Sequence, residues 1–145
     1  MSESGRPDPG RGAGASPESA ALTIERTRRG AVTLLALTGT LSIGGGDADL
    51  RRAFRELLDA GERALVLDLR GVSAMDSAGL GEIVACHKRA RAAGANLGLV
   101  IGRESRIHGF FRTAQLGRVF EIFEGPDEAE SALAGRAPDG PRPRS

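Results

Sequence analysis

The stretch that decides the fold is ALVLDLRGVSAMDSAGL, from Ala64 to Leu80. Ala64 to Leu69 is an almost continuous apolar run bounded by glycines, which is typical of a strand covered on both faces. After a short polar segment, the side chains that share one helical face are Leu80, Ile83, Val84 and His87. We therefore expect a strand at the centre of a sheet that passes into a helix through Asp76 and Ser77.

The junction between this strand and helix is the first candidate site. The first backbone N–H groups of a helix have no partner inside it and carry the positive end of the helix dipole. Asp76 is a natural N-cap for those groups, and Ser77 then takes the first helical position, where an anion is well accommodated. Spacing alone favours a capping role for both residues and leaves an anion site open.

The same residues carry a family resemblance. The run VLDLRGVSAMDSAGL, the segment LTGTL at Leu37 to Leu41 and the segment LGRVFEIFEGPDEAESAL at Leu116 to Leu133 together resemble the STAS domain of anti-sigma factor antagonists. The similarity spans roughly Leu22 to Leu133. In that family, the serine that follows the aspartate of a D-S-x-G-L motif is phosphorylated by a partner anti-sigma factor that is itself a protein kinase. The resemblance implies that Ser77 is the phosphorylated residue.

The resemblance also implies a switch between binding states in a protein that is not an enzyme. The unmodified chain would bind the anti-sigma factor/serine kinase and free a sigma factor; phosphorylation would switch it off and a serine phosphatase would reset it. No cofactor is implied, since ATP would bind the kinase. The partner-binding residues implied are Asp76, Ser77, Ala78, Gly79 and Leu80, with Leu41, Ser42 and Gly44 from the neighbouring loop.

Two residues depart from the family pattern, and one alternative function stays open. Ser42 stands where members commonly carry an aspartate, and Ala78 replaces the second serine of the frequent D-S-S-G-L form. The alternative is a constitutive STAS subunit of a stress-signalling assembly or of a lipid-transport ABC complex.

The composition limits how many domains the chain can form and which partners and cellular compartment are expected. A chain of 145 residues with 40% hydrophobic residues has room for one domain. Its formal net charge of +1 gives no indication of nucleic acid or an anionic membrane as a direct partner. Cys86 is the single cysteine, which excludes an internal disulfide and favours a reducing compartment.

The two ends of the chain are expected to lie outside the domain. Residues 1–20 and 135–145 are rich in Gly, Pro and charge, so we expect disordered tails around a domain at 21–134. The N-terminal segment lacks the apolar region of a signal peptide, and no apolar run approaches the roughly 20 residues that cross a bilayer. These features predict a cytoplasmic protein without membrane insertion.

Hydrophobic periodicity predicts an α/β fold of one STAS-like domain, with an N-terminal hairpin, parallel central strands in a mixed sheet, and packed helices. The three glycines at Gly44 to Gly46 indicate a flexible loop. A loop from Arg70 to Asp76 follows the central strand, and the Ser77 helix ends near Ala93-Gly94. The other predicted elements are strands at Leu22–Arg26, Val32–Thr38, Asn96–Ile101 and Val119–Phe123, a loop at Thr40–Gly46, a helix capped by Asp47 or Asp49 that stops at Gly61, a helix with Ile107, Phe110, Phe111 and Ala114, and a helix from Pro126.

Catalysis by Ser77 itself is disfavoured. A hydrolase elbow needs glycine two residues before the serine, where this chain has Met75. His87 lies nearly three helical turns beyond Ser77, roughly 15 Å away, and His108 is in a later helix. These two histidines and one cysteine show no spacing typical of metal ligands, so we expect no metal site.

Overall fold

The computed structural model describes residues 21–113 and 119–134. The two predicted tails, at 1–20 and 135–145, lie outside the described residues, as does Ala114. The strands are β1 (Thr23–Arg29), β2 (Val32–Leu41), β3 (Ala64–Met75), β4 (Asn96–Val100) and β5 (Glu121–Phe123), and the helices are α1 (Asp47–Asp59), α2 (Ser77–Ala93), α3 (Arg106–Thr113) and α4 (Pro126–Ala134).

The five strands form one mixed sheet in the order β1-β2-β3-β4-β5. β1 and β2 are antiparallel and form the predicted hairpin, whereas β2, β3, β4 and β5 are all parallel to one another. The predicted α/β fold with a mixed sheet and a central strand at β3 is therefore confirmed.

Helices cover both faces of the sheet, and β3 supplies side chains to both. Leu65, Leu67 and Leu69 belong to the larger core cluster, together with side chains of α1, α2 and α3. Val66 points to the opposite face and packs in a smaller cluster with Ala129 of α4. This burial on both sides explains why the first half of β3 reads as a continuous apolar run.

β2 and β3 run further than the sequence predicts. Thr40 and Leu41 belong to β2, and β3 continues to Met75 through most of the segment from Arg70 to Asp76, where the sequence predicts a loop. Their parallel pairing continues past two register shifts to Leu41 opposite Met75. A Cβ at Gly71 would lie 2.8 Å from the Leu37 carbonyl oxygen, so this glycine permits close approach of the two strands.

β4 and β5 are shorter than predicted, and the start of α1 differs too. β4 ends at Val100, and β5 begins at Glu121. The N-cap of α1 is Gly46, with φ of 115°, so neither Asp47 nor Asp49 is the capping residue. A left-handed conformation of this kind favours glycine, which is why the cap carries no side chain.

The buried face of α2 is displaced from the predicted one. Its buried residues are Gly79, Glu82, Ile83, Cys86 and Ala90, whereas Leu80, Val84 and His87 are only partly buried. Gly79 allows the first turn of α2 to lie directly against the end of β2, which is consistent with this rotation of the helix. Burial, reinforced by the charge of Glu82, raises the pKa of the Cys86 thiol to about 12.

Glu82 is buried because two arginines neutralise it. Its carboxylate accepts hydrogen bonds from Arg51 of α1, at 3.1 and 3.2 Å, and from Arg89 of α2, at 2.9 Å. A lone carboxylate would be costly at this depth, whereas an ion pair with both oxygens bonded is tolerated. The contact joins α1 to α2.

None of the helices in the described part of the chain has the length and apolar character that crossing a membrane requires.

Candidate functional site

The candidate site lies where β2 and β3 end. Because the two strands are parallel and Leu41 pairs with Met75, both finish at the same edge of the sheet. The residues that follow them, the 42–46 loop after β2 and Asp76 after β3, are therefore neighbours. This is the edge at which open α/β sheets place their binding sites.

Asp76 forms the N-cap of α2, as the sequence predicts. Its backbone is extended, with φ of −110° and ψ of −173°, and its Oδ1 accepts a hydrogen bond from the Gly79 N–H at 2.9 Å. Its carbonyl oxygen accepts from the Leu80 N–H at 3.0 Å, which begins the helical ladder. The cap thus satisfies donors that the first turn would leave unpaired.

Asp76 also binds the end of β2 and the loop that follows. Its N–H donates to the Leu41 carbonyl at 3.3 Å, and its Oδ2 accepts from the Ile43 N–H at 3.3 Å. These backbone donors, Gly79 first and then Ile43 and Ala78, hold the pKa of the Asp76 carboxyl below its ordinary value. The residue is therefore an ionised bridge between two segments.

Gly79 sets the closest contact at the site. A Cβ at this position would lie 2.2 Å from the Leu41 carbonyl oxygen, well inside any real contact distance. The first turn of α2 thus rests directly on the backbone at the end of β2. Leu41 and Gly79 are both buried, so they support the surface of the site from below.

The 42–46 loop is held by hydrogen bonds, although its glycines alone predicted flexibility. Ser42 and Gly45 bond to each other through their backbones, at 2.9 and 3.4 Å. The Gly44 N–H donates to the Asp47 carboxylate at 3.1 Å. Gly44 and Gly46 have φ of 69° and 115°, so these two glycines serve the turn geometry.

The remaining predicted residues meet at this edge. Ser77 is the first residue of α2 and is exposed to solvent, whereas Ala78, Leu80 and Ser42 are partly buried. All the predicted site residues therefore lie in two adjoining segments. One exposed residue between them, Ile43, was not singled out from the sequence; its signal was an isolated aliphatic residue in a polar, glycine-rich loop.

The histidine near the far end of α2 lies away from this site. His87 packs edge-on against Phe120, with ring centroids 5.0 Å apart, and borders a cavity of about 220 Å³ that also contacts Asn96. Asn96 begins β4, so the cavity is at the sheet edge opposite Ser77. Burial and the charge of Arg91 lower the pKa of His87.

Across residues 21–113 and 119–134, no cluster of His, Cys, Asp and Glu side chains suits a metal ion.

A protein-family model described as the STAS domain matches residues 23–129. None of the curated protein sequences gives a significant match. Among solved structures, a putative anti-sigma factor antagonist from Thermotoga maritima shares 23% identity and superposes with a TM-score of 0.70, over 77% of this chain and 94% of that one.

Two further solved structures have the same fold. An anti-sigma factor antagonist from Mycobacterium paratuberculosis is 19% identical, with a TM-score of 0.72, over 83% of this chain and 98% of that one. The Bacillus cell fate determinant SpoIIAA in its phosphorylated form is 18% identical, with a TM-score of 0.57, over 78% of this chain and 99% of that one.

Proposed function

The chain belongs to the STAS domain family, and on that premise we propose that it is an anti-sigma factor antagonist switched by phosphorylation of Ser77. The unphosphorylated chain binds an anti-sigma factor with serine kinase activity and so frees a sigma factor. Transfer of a phosphate from ATP to the Ser77 hydroxyl ends the interaction. A serine phosphatase removes the phosphate and restores binding.

The observation that carries this proposal is the position of Ser77. Its side chain is exposed on the first residue of α2, beside the 42–46 loop, at the edge where the parallel strands end. A kinase can therefore reach the hydroxyl without unfolding the domain. The similar folds of the two anti-sigma factor antagonists, and of SpoIIAA in its phosphorylated form, support the same role.

The physical effect of phosphorylation follows from this position. A phosphoserine adds about −1.5 to −2 charges at neutral pH. The positive end of the α2 dipole offsets part of the repulsion between this charge and the Asp76 carboxylate, so the domain stays folded. A partner surface that contacts a neutral hydroxyl instead meets a dianion and loses affinity.

In this proposal the chemistry belongs to the partners. The chain is the substrate of the kinase and of the phosphatase, and ATP binds the kinase. His87, at the sheet edge opposite Ser77, takes no part in the transfer.

The test is intact-mass spectrometry of the full chain after incubation with ATP and each histidine-kinase-like ATPase from the same genome. We expect one of these ATPases to add a single phosphate to the wild type and none to Ser77→Ala. Ser131→Ala is the matched control, because Ser131 is an exposed serine on α4, which packs on the opposite face of the sheet from α2; it should gain the phosphate normally.

Two results would contradict the proposal: no phosphate gained from any active ATPase, or a phosphate that persists in Ser77→Ala. The first would favour the alternative, a constitutive STAS subunit of a stress-signalling assembly or of a lipid-transport ABC complex, neither of which needs a phosphorylation cycle.

A further inference from the structure

Ile43 is the most exposed large apolar side chain in the described residues. Its relative exposure is 75%, against 46% for Val119, the other large apolar residue that is exposed there. Single exposed apolar residues are common on protein surfaces, so exposure alone indicates nothing. The surroundings of Ile43 are what distinguish it from Val119.

The backbone that carries Ile43 is fixed on both sides. Its own N–H donates to Asp76 Oδ2, at 3.3 Å. The next residue, Gly44, donates its N–H to Asp47 Oδ1 at 3.1 Å, and the Ser42–Gly45 pair closes the turn around both. A loop ordered before binding loses less conformational entropy when a partner docks, so an apolar side chain on it binds more tightly.

Asp76 places Ile43 on the same surface as Ser77. One carboxylate oxygen holds the start of α2 through Gly79, and the other holds the loop through Ile43. Ser77 is the next residue along the chain. A partner that contacts the Ser77 hydroxyl therefore lies against the loop that presents Ile43, whereas Val119 precedes β5 at the opposite edge of the sheet.

We infer that Ile43 is the apolar anchor of this surface, inserting into an apolar pocket of the anti-sigma factor, and that Asp76 is a positioning residue that holds the anchor in place. This inference rests on the proposed function and adds the chemistry of the contact. The partner carries an apolar pocket beside the group that recognises the unmodified Ser77 hydroxyl.

The variant Asp76→Asn separates the two bonds of the carboxylate. The Gly79 and Ile43 N–H groups bond to different oxygens of the carboxylate, and an amide has its NH₂ group in one of those two positions, so asparagine in this orientation accepts from one of the two N–H groups and not from both. Asparagine is as good an N-cap as aspartate, so α2 keeps its start. In Asp76→Asn we expect faster amide hydrogen exchange at Ile43 and unchanged exchange along α2.

The binding test uses the full chain and the ATPase that phosphorylates it, with affinity measured by calorimetry in the presence of ADP. Ile43→Ala should bind at least about 10-fold more weakly, as expected for a central apolar contact. Val119→Ala is the matched control and should bind like the wild type. Urea unfolding of each variant verifies that the domain is intact.

A double-mutant cycle tests the role of Asp76. If Asp76 acts by placing Ile43, then Asp76→Asn weakens binding in the wild type and has little further effect in Ile43→Ala. Equal losses in both backgrounds would overturn the positioning role, and wild-type affinity of Ile43→Ala would overturn the anchor. Self-association of the wild type that Ile43→Ala abolishes would assign the residue to a second copy of this chain instead, and would also overturn the inference.

The two proposals fail in different ways. If the ATPase phosphorylates Ser77 but Ile43→Ala binds it normally, the switch stands and the anchor is wrong. If no ATPase phosphorylates or binds the chain, the proposed function is wrong, and the inference that Ile43 is an anchor is wrong as well.

Discussion

Asp76 is the residue on which the site depends. Its carboxylate accepts from Gly79 in α2 and from Ile43 in the 42–46 loop, while its N–H bonds to Leu41 at the end of β2. The two bonds that the carboxylate accepts favour its ionised form, and the bond from the N–H to Leu41 holds the backbone of Asp76 against β2. The next residue, Ser77, therefore lies on a surface that Asp76 holds by hydrogen bonds to α2, to the 42–46 loop and to β2.

The pH dependence of stability reports this role. The folded-state pKa of Asp76 lies below its ordinary value of 3.8. The stabilisation is therefore fully present above that value and is lost as the pH falls through the lower folded-state pKa. Urea unfolding of the wild type and of Asp76→Asn should show a difference that is constant from neutral pH down to about 5 and shrinks in more acid solution. A difference that does not change down to the lowest pH would contradict this assignment.

At the residue scale, the sequence could predict the cap but not the bridge. Asp76 precedes a helical pattern directly, and capping depends on residues within one turn, so local sequence is enough. The bond to Ile43 joins residues 33 positions apart. It forms only because β2 and β3 end together, which is a property of the sheet.

At the scale of elements, the packing of α2 on β2 fixes where Ser77 lies. The contact is between the first turn of the helix and the Leu41 carbonyl, and Gly79 is what allows it. Further along, the buried Glu82 joins α2 to Arg51 of α1. The helix is therefore held at its start by a close backbone approach and in its second turn by an ion pair.

Two glycines of α2 provide a matched test of this packing. Gly79→Ala places a methyl group 2.2 Å from the Leu41 carbonyl oxygen, so the helix must shift, and we expect a loss of about 1–3 kcal/mol in the free energy of unfolding. Gly81→Ala meets nothing within 4 Å and should stabilise by about 0.5–1 kcal/mol, because alanine is the better helix former. Urea unfolding measures both.

The same substitution two residues apart should thus have opposite effects. Equal effects on the free energy of unfolding would mean that the contact between α2 and β2 does not control stability.

Element boundaries were predictable where the signals were local. Gly94 ends α2 and Pro126 begins α4, as the sequence predicts. The second half of β3 was missed because Arg70 and Gly71 have the composition of a turn, while the pairing that keeps them extended comes from β2. Glu82 was missed because its burial depends on Arg51, a residue of another helix.

At the scale of the whole molecule, the sheet brings together segments that are far apart in the sequence. Core clusters on both faces hold β2 and β3 in place, and parallel pairing brings their ends to one edge. The alternation of strands and helices was enough to predict this architecture. The detailed surface at the edge was not predictable, because it is made of loop conformations and backbone contacts between segments.

The central claim is that one phosphate on Ser77 controls binding while the domain stays folded. The most direct test compares two full chains, one with serine and one with genetically encoded phosphoserine at position 77. Their affinities for the ATPase that modifies the chain are measured by calorimetry. We predict at least about 10-fold weaker binding of the phosphoserine form, since an uncompensated charge at an interface costs more than about 1.4 kcal/mol, and two chains that unfold cooperatively in urea. Equal affinities, or a loss of binding caused by unfolding of the phosphoserine form, would contradict the account.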